Sequence, residues 1–137
     1  MSMSSTPGTT PTVADCMARR LVTFTPEMDI MTAMQALLKK HISGAPVVDA
    51  DGHLVGVLSK KDCLRVVFTA SYHKEWGGSV GDYMTREVET MDADTDLVSA
   101  AKKFVEGSYR RYPVMSGGRL VGQVSRYDIL QALLREW

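Results

Sequence analysis

Two stretches of the sequence place a glycine, a hydroxyl and a carboxylate at the same spacing: Gly56-Val57-Leu58-Ser59-Lys60-Lys61-Asp62 and Gly122-Gln123-Val124-Ser125-Arg126-Tyr127-Asp128. In each, a β-prone run leads into a helical pattern that the serine opens. A helix start gathers unpaired amides and the positive end of the backbone dipole, so a phosphate can dock beside Ser59 or Ser125. One turn later, Asp62 and Asp128 can each accept two hydrogen bonds from a sugar diol. The same spacing is also an ordinary capping box, in which the serine takes the third amide and the aspartate reaches back. One copy alone favours the cap. Two copies at matching phase, each preceded by a strand and a glycine, point to a bound nucleotide.

The matching phase belongs to a longer repeat. At an offset of 67 positions Val13, Asp15, Met17, Arg19, Thr23, Asp29, Ala33, Pro46 and Val47 fall on Val80, Asp82, Met84, Arg86, Thr90, Asp96, Ala100, Pro113 and Val114. After one residue is lost from a turn, Gly52, Leu54, Val55, Gly56, Ser59, Asp62 and Leu64 fall on Gly118, Leu120, Val121, Gly122, Ser125, Asp128 and Leu130. So many matches in order mark an internal duplication, and fold class follows from the repeated unit.

Each unit opens with a capped turn, Thr12-Val13-Ala14-Asp15 or Ser79-Val80-Gly81-Asp82, predicting a short helix. The extended segment Leu21 to Phe24 comes next, and Thr25-Pro26 then reads as the cap and first-turn proline of a longer helix. Ile30, Ala33, Met34, Leu37 and Leu38 form its buried stripe, repeated as Leu97, Ala100, Ala101, Phe104 and Val105. Ala45 to Val48 and Leu54 to Leu58 form a hairpin around Asp51-Gly52, as do Tyr112 to Met115 and Leu120 to Val124 around Gly117-Gly118. Ser59 and Ser125 open a last helix in each unit, with Leu64, Val67 and Phe68, or Ile129, Leu130, Leu133 and Leu134, expected inward. The fold class is α/β in the α+β sense, a small sheet flanked by helices in each copy. Residues 12–68 and 79–137 are the expected copies, 69–78 with Tyr72, His73 and Trp76 the linker, and 1–11 a disordered tail rich in Ser, Thr, Gly and Pro. A unit this small has a marginal core, so the two are expected to pack with pseudo-twofold symmetry and leave clefts between them.

Bulk composition narrows the function. The chain has 137 residues, 45% hydrophobic and 23% charged, which suits one globular domain or two small halves sharing a core, with no room for a separate substrate domain. Sixteen basic residues balance sixteen acidic ones, so no general field exists to hold a nucleic acid or an anionic membrane, and any anion must be caught locally. No apolar run approaches the ~18 residues of a membrane span, and Met1 to Pro11, without an apolar stretch, reads as a tail and not as a signal peptide. Cys16 and Cys63 are not a C-x-x-C pair and fit a reducing compartment, so the expected location is cytoplasmic. His41, His53 and His73 lack a second ligand at metal-like spacing, and Met28, Met31 and Met34 read as helix packing. No nucleophile with a supporting base and no G-x-x-x-x-G-K loop occurs, so neither metal nor catalysis is expected.

The residues resemble the cystathionine beta-synthase (CBS) domain pair, or Bateman module. The likeness covers nearly all of Val13 to Leu134. It rests on Asp15-Cys16-Met17, Val22-Thr23-Phe24-Thr25-Pro26, Ser43-Gly44-Ala45-Pro46-Val47-Val48-Asp49, Leu54-Val55-Gly56 and Ser59-x-x-Asp62, with their partners in copy two. The resemblance implies a disc-like pair that binds AMP, ADP or ATP, less often S-adenosylmethionine or NAD, and regulates an attached or partner protein of unknown identity. Homodimerisation of such discs is implied too. Carried over, Asp62 and Asp128 would hold ribose hydroxyls, Ser59 and Ser125 would meet phosphate, and Ser43 and Arg110 would lie near it. Arg111 would reach toward the other copy's site. The base would slot between Thr23 or Thr90 and the Ile42 to Pro46 or Tyr109 to Pro113 segment, so that Ala45, Pro46, Tyr112 and Pro113 line it.

Copy two offers Arg110 and Arg111 where copy one has Ser43 and Gly44, so the two sites cannot be equal. A local arginine favours the Asp128 site and a crossing one the Asp62 site, with a slight preference here for Asp128. The alternative function is a structural dimerisation or adaptor module whose Ser-x-x-Asp boxes serve only as caps.

Overall fold

A computed structural model describes residues 10–73 and 77–136. Most of the expected tail and the centre of the expected linker, with Trp76, lie outside them. The described chain forms two compact units, one built from its beginning through Leu21 together with everything from Glu89 onward, the other from Val22–Val88.

The Val22–Val88 unit holds α1 (Ile30–Lys39), the antiparallel hairpin β1 (Gly44–Val48) and β2 (Leu54–Ser59), α2 (Lys60–His73) and the single turn α3 (Val80–Tyr83). Phe24 makes a parallel bridge to Val47, a third strand reduced to one pair. The other unit opens with a 3-10 turn at Val13–Asp15. It continues through β3 (Met91–Asp92), α4 (Leu97–Glu106), β4 (Arg111–Ser116), β5 (Arg119–Ser125) and α5 (Arg126–Glu136). β3 pairs parallel with β4, and β4 antiparallel with β5.

The opening turn of each sequence repeat is therefore part of the unit that holds the other repeat's body. Ala18 bridges Gln123 in β5 and Thr85 bridges Val57 in β2. Gly56 and Gly122 permit this approach. A Cβ at Gly56 would meet the Met84 sulfur and the Thr85 carbonyl at 2.8 Å, and one at Gly122 would meet the Met17 sulfur at 2.6 Å. The glycine before each serine thus serves packing of the opening turn.

The expected helix start at Thr25-Pro26 is corrected to Ile30, capped by Asp29, whose carboxylate accepts the Thr32 amide at 3.0 Å. The intervening backbone makes a turn, in which the Met28 amide donates to the Thr25 carbonyl at 3.2 Å, and is tied down from outside. Pro26 and Met28 accept from Gly81 and Val80, and Ile30 donates to Gly78, all at 2.9 to 3.0 Å. Copy two repeats the arrangement with Asp96 as cap.

The expected inner face of α2 is also corrected. Cys63, Val66 and Ala70 are buried, while Leu64 and Phe68 are 69% and 71% exposed and Val67 is exposed as well. Asp62 is drawn under the helix by Ser59, which sets the phase so that positions 63, 66 and 70 follow it inward. In α5 Ile129 and Ala132 are buried and Leu133 half-buried, whereas Leu130 and Leu134 are exposed, as are Leu38 of α1 and Val105 of α4. α2 continues to His73, through the first half of the segment read as linker.

One core gathers Phe24, Ile30, Leu37, Val47, Leu58, Val66, Val80 and Met84. The other gathers Val13, Met17, Met91, Leu97, Phe104, Tyr112, Val114, Val124 and Ile129. Each opening turn contributes two apolar residues to its unit's core, Val13 and Met17 or Val80 and Met84. Among the described residues no helix is long and apolar enough to cross a membrane.

Candidate functional site

Hairpin register gathers the expected residues of each copy at one end of its own sheet. Gly44 is paired with Ser59, so Ser43 lies where β2 runs into α2, and the Ser43 carbonyl accepts the Lys60 amide at 2.9 Å. Phe24 donates to the Pro46 carbonyl at 3.0 Å, which sets Thr23 beside the Ala45-Pro46 pair. In copy two Arg111 is paired with Ser125, and the Arg110 carbonyl accepts the Arg126 amide at 3.2 Å. Met91 pairs with Val114, so Thr90 lies beside Pro113.

Within this frame Ala45, Pro46, Tyr112 and Pro113 are buried, while Thr23, Ser43, Arg110 and Arg111 are exposed. The Tyr112 side chain is turned into the core. Its ring packs at 4.9 Å on Phe104 and 5.5 Å on Tyr109, and its hydroxyl donates to the Lys103 carbonyl at 3.4 Å. Burial pushes the Tyr112 phenol up, with the Glu89 carboxylate adding to it. The four buried residues can present a ligand only with backbone edges.

Both Ser-x-x-Asp boxes close as caps, and they close differently. In copy one the Ser59 amide and hydroxyl both donate to Asp62 Oδ2 at 2.9 Å, and the Asp62 amide donates back to Ser59 Oγ at 3.1 Å. Thr85 Oγ1 donates to Asp62 Oδ1 at 3.2 Å, with Arg65 Nη1 3.5 Å from the same oxygen. Asp62 is 2% exposed. In copy two the Ser125 amide donates to Asp128 Oδ2 at 2.9 Å and the Asp128 amide to Ser125 Oγ at 3.2 Å. Among the described residues nothing donates to Asp128 Oδ1 and nothing accepts the Ser125 hydroxyl proton, and Asp128 is only half-buried. Of the first three α5 amides, those of Arg126 and Asp128 are engaged, leaving Tyr127's.

Thr85 and Arg65 were not found from the sequence. Their copy-two counterparts are Ala18 and Gln131, two among many positions at which the copies differ, so the repeat did not single them out. Also unexpected is the grouping of Asp49, Asp51 and His53 at the tip of the first hairpin, their ligand atoms lying within 4.8 Å of one another. Asp49 Oδ1 accepts the Asp51 and His53 amides at 2.9 Å each, which makes the group a turn-former. His41, two residues beyond the end of α1, lies in the left-handed region at φ 54°.

This duplicated unit matches the CBS domain family over residues 13–69 and 80–135. The chain belongs to the CBS domain family. CBSX2 from Arabidopsis thaliana is 32% identical, superposes with a TM-score of 0.79, and is matched over 93% of this chain and 96% of that one. The crystal structure of CBSX2 in complex with AMP gives 33% identity and a TM-score of 0.78, covering 90% of this chain and 96% of that one. The CBS domain pair of protein MJ0100 in complex with 5'-methylthioadenosine and S-adenosyl-L-methionine is 27% identical with a TM-score of 0.72, over 91% of this chain and 97% of that one. In sequence, protein MJ1225 of Methanocaldococcus jannaschii is 30% identical over 125 residues, 91% of this chain but 44% of its own length. Chloroplastic CBSX1 of Arabidopsis thaliana is 32% identical over 80% of this chain and 58% of its own. The chain thus spans roughly half the length of these two relatives. The tandem-CBS expectation and its mixed helix-and-strand fold are borne out.

Proposed function

We propose that this CBS pair is a non-catalytic regulatory module that binds an adenine nucleotide and passes its binding state to a partner protein. The observation that carries the reading is the copy-two opening. There a half-buried carboxylate oxygen, a hydroxyl proton and the Tyr127 amide have no partner among the described residues, beside Arg110 and Arg126. That set can meet a sugar diol and a phosphate together. The adenine class is supported by the AMP and S-adenosylmethionine complexes of the relatives. Exposed apolar residues on both helix pairs, Leu38, Leu64 and Phe68 in one unit and Val105, Leu130 and Leu134 in the other, support a homodimer. The proposed location is the cytoplasm.

Regulation requires that nucleotide bind one state of the protein more tightly than another. Calorimetric titration with AMP, ADP, ATP, NAD and S-adenosylmethionine tests the reading. Heat from at least one adenine ligand, without its turnover, is expected, and silence from all five removes it. A second reading, an adaptor that takes no ligand, is favoured by the closure of both boxes as caps. Under it Asp128→Ala would cost about 1 kcal/mol as a lost cap and alter no ligand response.

A further inference from the structure

We infer that the two copies have divided their labour: Asp128 receives the nucleotide, while Asp62 is a structural carboxylate, so that each chain takes one nucleotide. This rests on the nucleotide reading and goes beyond it by assigning stoichiometry and the residues that set it.

A carboxylate that holds a diol must accept two new hydrogen bonds with acceptable geometry. Asp62 does not have two to offer. Oδ2 takes the Ser59 amide and hydroxyl, Oδ1 takes the Thr85 hydroxyl, and Arg65 stands over the same oxygen. The group is 2% exposed, so a ligand would have to displace Thr85 before reaching it. Asp128 differs at each point. Ala18 carries no hydroxyl where copy one has Thr85, and Gln131 stands in place of Arg65. Oδ1 is left to accept, and the Ser125 hydroxyl proton is not drawn onto the carboxylate as that of Ser59 is.

Cation supply at the helix start does not explain the difference. Copy one has Lys60 and Lys61 there, and copy two has Arg126 and Tyr127. The discriminating residue is the one directly after the methionine that packs on the strand glycine: Thr85 follows Met84 and Ala18 follows Met17. Thr85 is a positioning residue that closes the Asp62 site, and Ala18 leaves the Asp128 site open.

The test is calorimetric titration of the full chain with AMP. Wild type is expected to bind about one AMP per chain, and Asp128→Asn to weaken binding by more than about tenfold. Thr85→Ala, at an exposed side chain, is expected to add a second, weaker site by releasing Asp62 Oδ1. Ala18→Thr is expected to weaken the first. Far-ultraviolet circular dichroism checks that each variant is folded. Two sites per chain in wild type, or a Thr85→Ala stoichiometry that stays at one, overturns the division of labour and leaves the nucleotide reading standing. No AMP heat, together with silence from the other adenine ligands, overturns both.

Discussion

Cys16 reports on Asp128. Burial, then the Asp128 carboxylate, then Asp15 push its thiol up to about 11, with Arg135 opposing. The folded thiol keeps its proton where an unfolded one, titrating near 9.0, has lost it. The Cys16 contribution to stability is therefore complete below that value and is lost as pH rises toward 11. Alkylation of Cys16 by iodoacetamide, followed peptide by peptide in a mass spectrometer, should have its midpoint near pH 11, and Asp128→Asn should move it downward. A midpoint unmoved by that substitution contradicts the placement of Asp128. At this scale Ser59, Asp62, Ser125 and Asp128 were readable because a short local spacing recurs. Thr85 was not, because it meets Asp62 across 23 positions and only tertiary packing joins them.

Helix starts were misread where distant backbone decides them. Thr25-Pro26 has the chemistry of a cap, yet the next residues form a single turn whose backbone bonds run to Gly78, Val80 and Gly81, so the role passes to Asp29. Asp29→Ala should lower stability in urea by about 1 kcal/mol, whereas Thr25→Ala should change it by less than about 0.5. Asp96 caps α4 equivalently, and its hydrogen bonds from Ser99 hold the carboxyl below its usual value. A lowered carboxyl stabilises above its unfolded value and loses that effect as pH falls through the folded one. The gap in urea midpoint between wild type and Asp96→Ala should therefore be full above pH 3.8 and shrink below it. The hairpins were legible since their turns carry local signals. Gly52, Gly117 and Gly118 do sit at positive φ, 82°, 58° and 79°. The α2 stripe was not legible, because Leu64, Val67 and Phe68 are apolar and exposed while the capping box turns Cys63, Val66 and Ala70 inward.

For the molecule as a whole, the duplication was visible in the sequence and the exchange of opening turns was not, since a repeat marks homology and says nothing of which body each turn joins. Residues 22–88 form a continuous chain that contains a whole core, including Val80 and Met84. Residues 12–68 lack both and leave Asp62 without Thr85. Fragment 22–88 should therefore show the more cooperative urea transition by circular dichroism, and a sharper transition for 12–68 contradicts the exchanged arrangement. The nucleotide claim itself is met most directly by hydrogen–deuterium exchange of the full chain with and without AMP. Slower exchange is expected in peptides covering 109–113 and 125–128, with the equivalent 42–46 and 59–62 region unchanged. No protection anywhere at saturating AMP contradicts it, whereas protection centred on 59–62 contradicts the assignment of the nucleotide to Asp128.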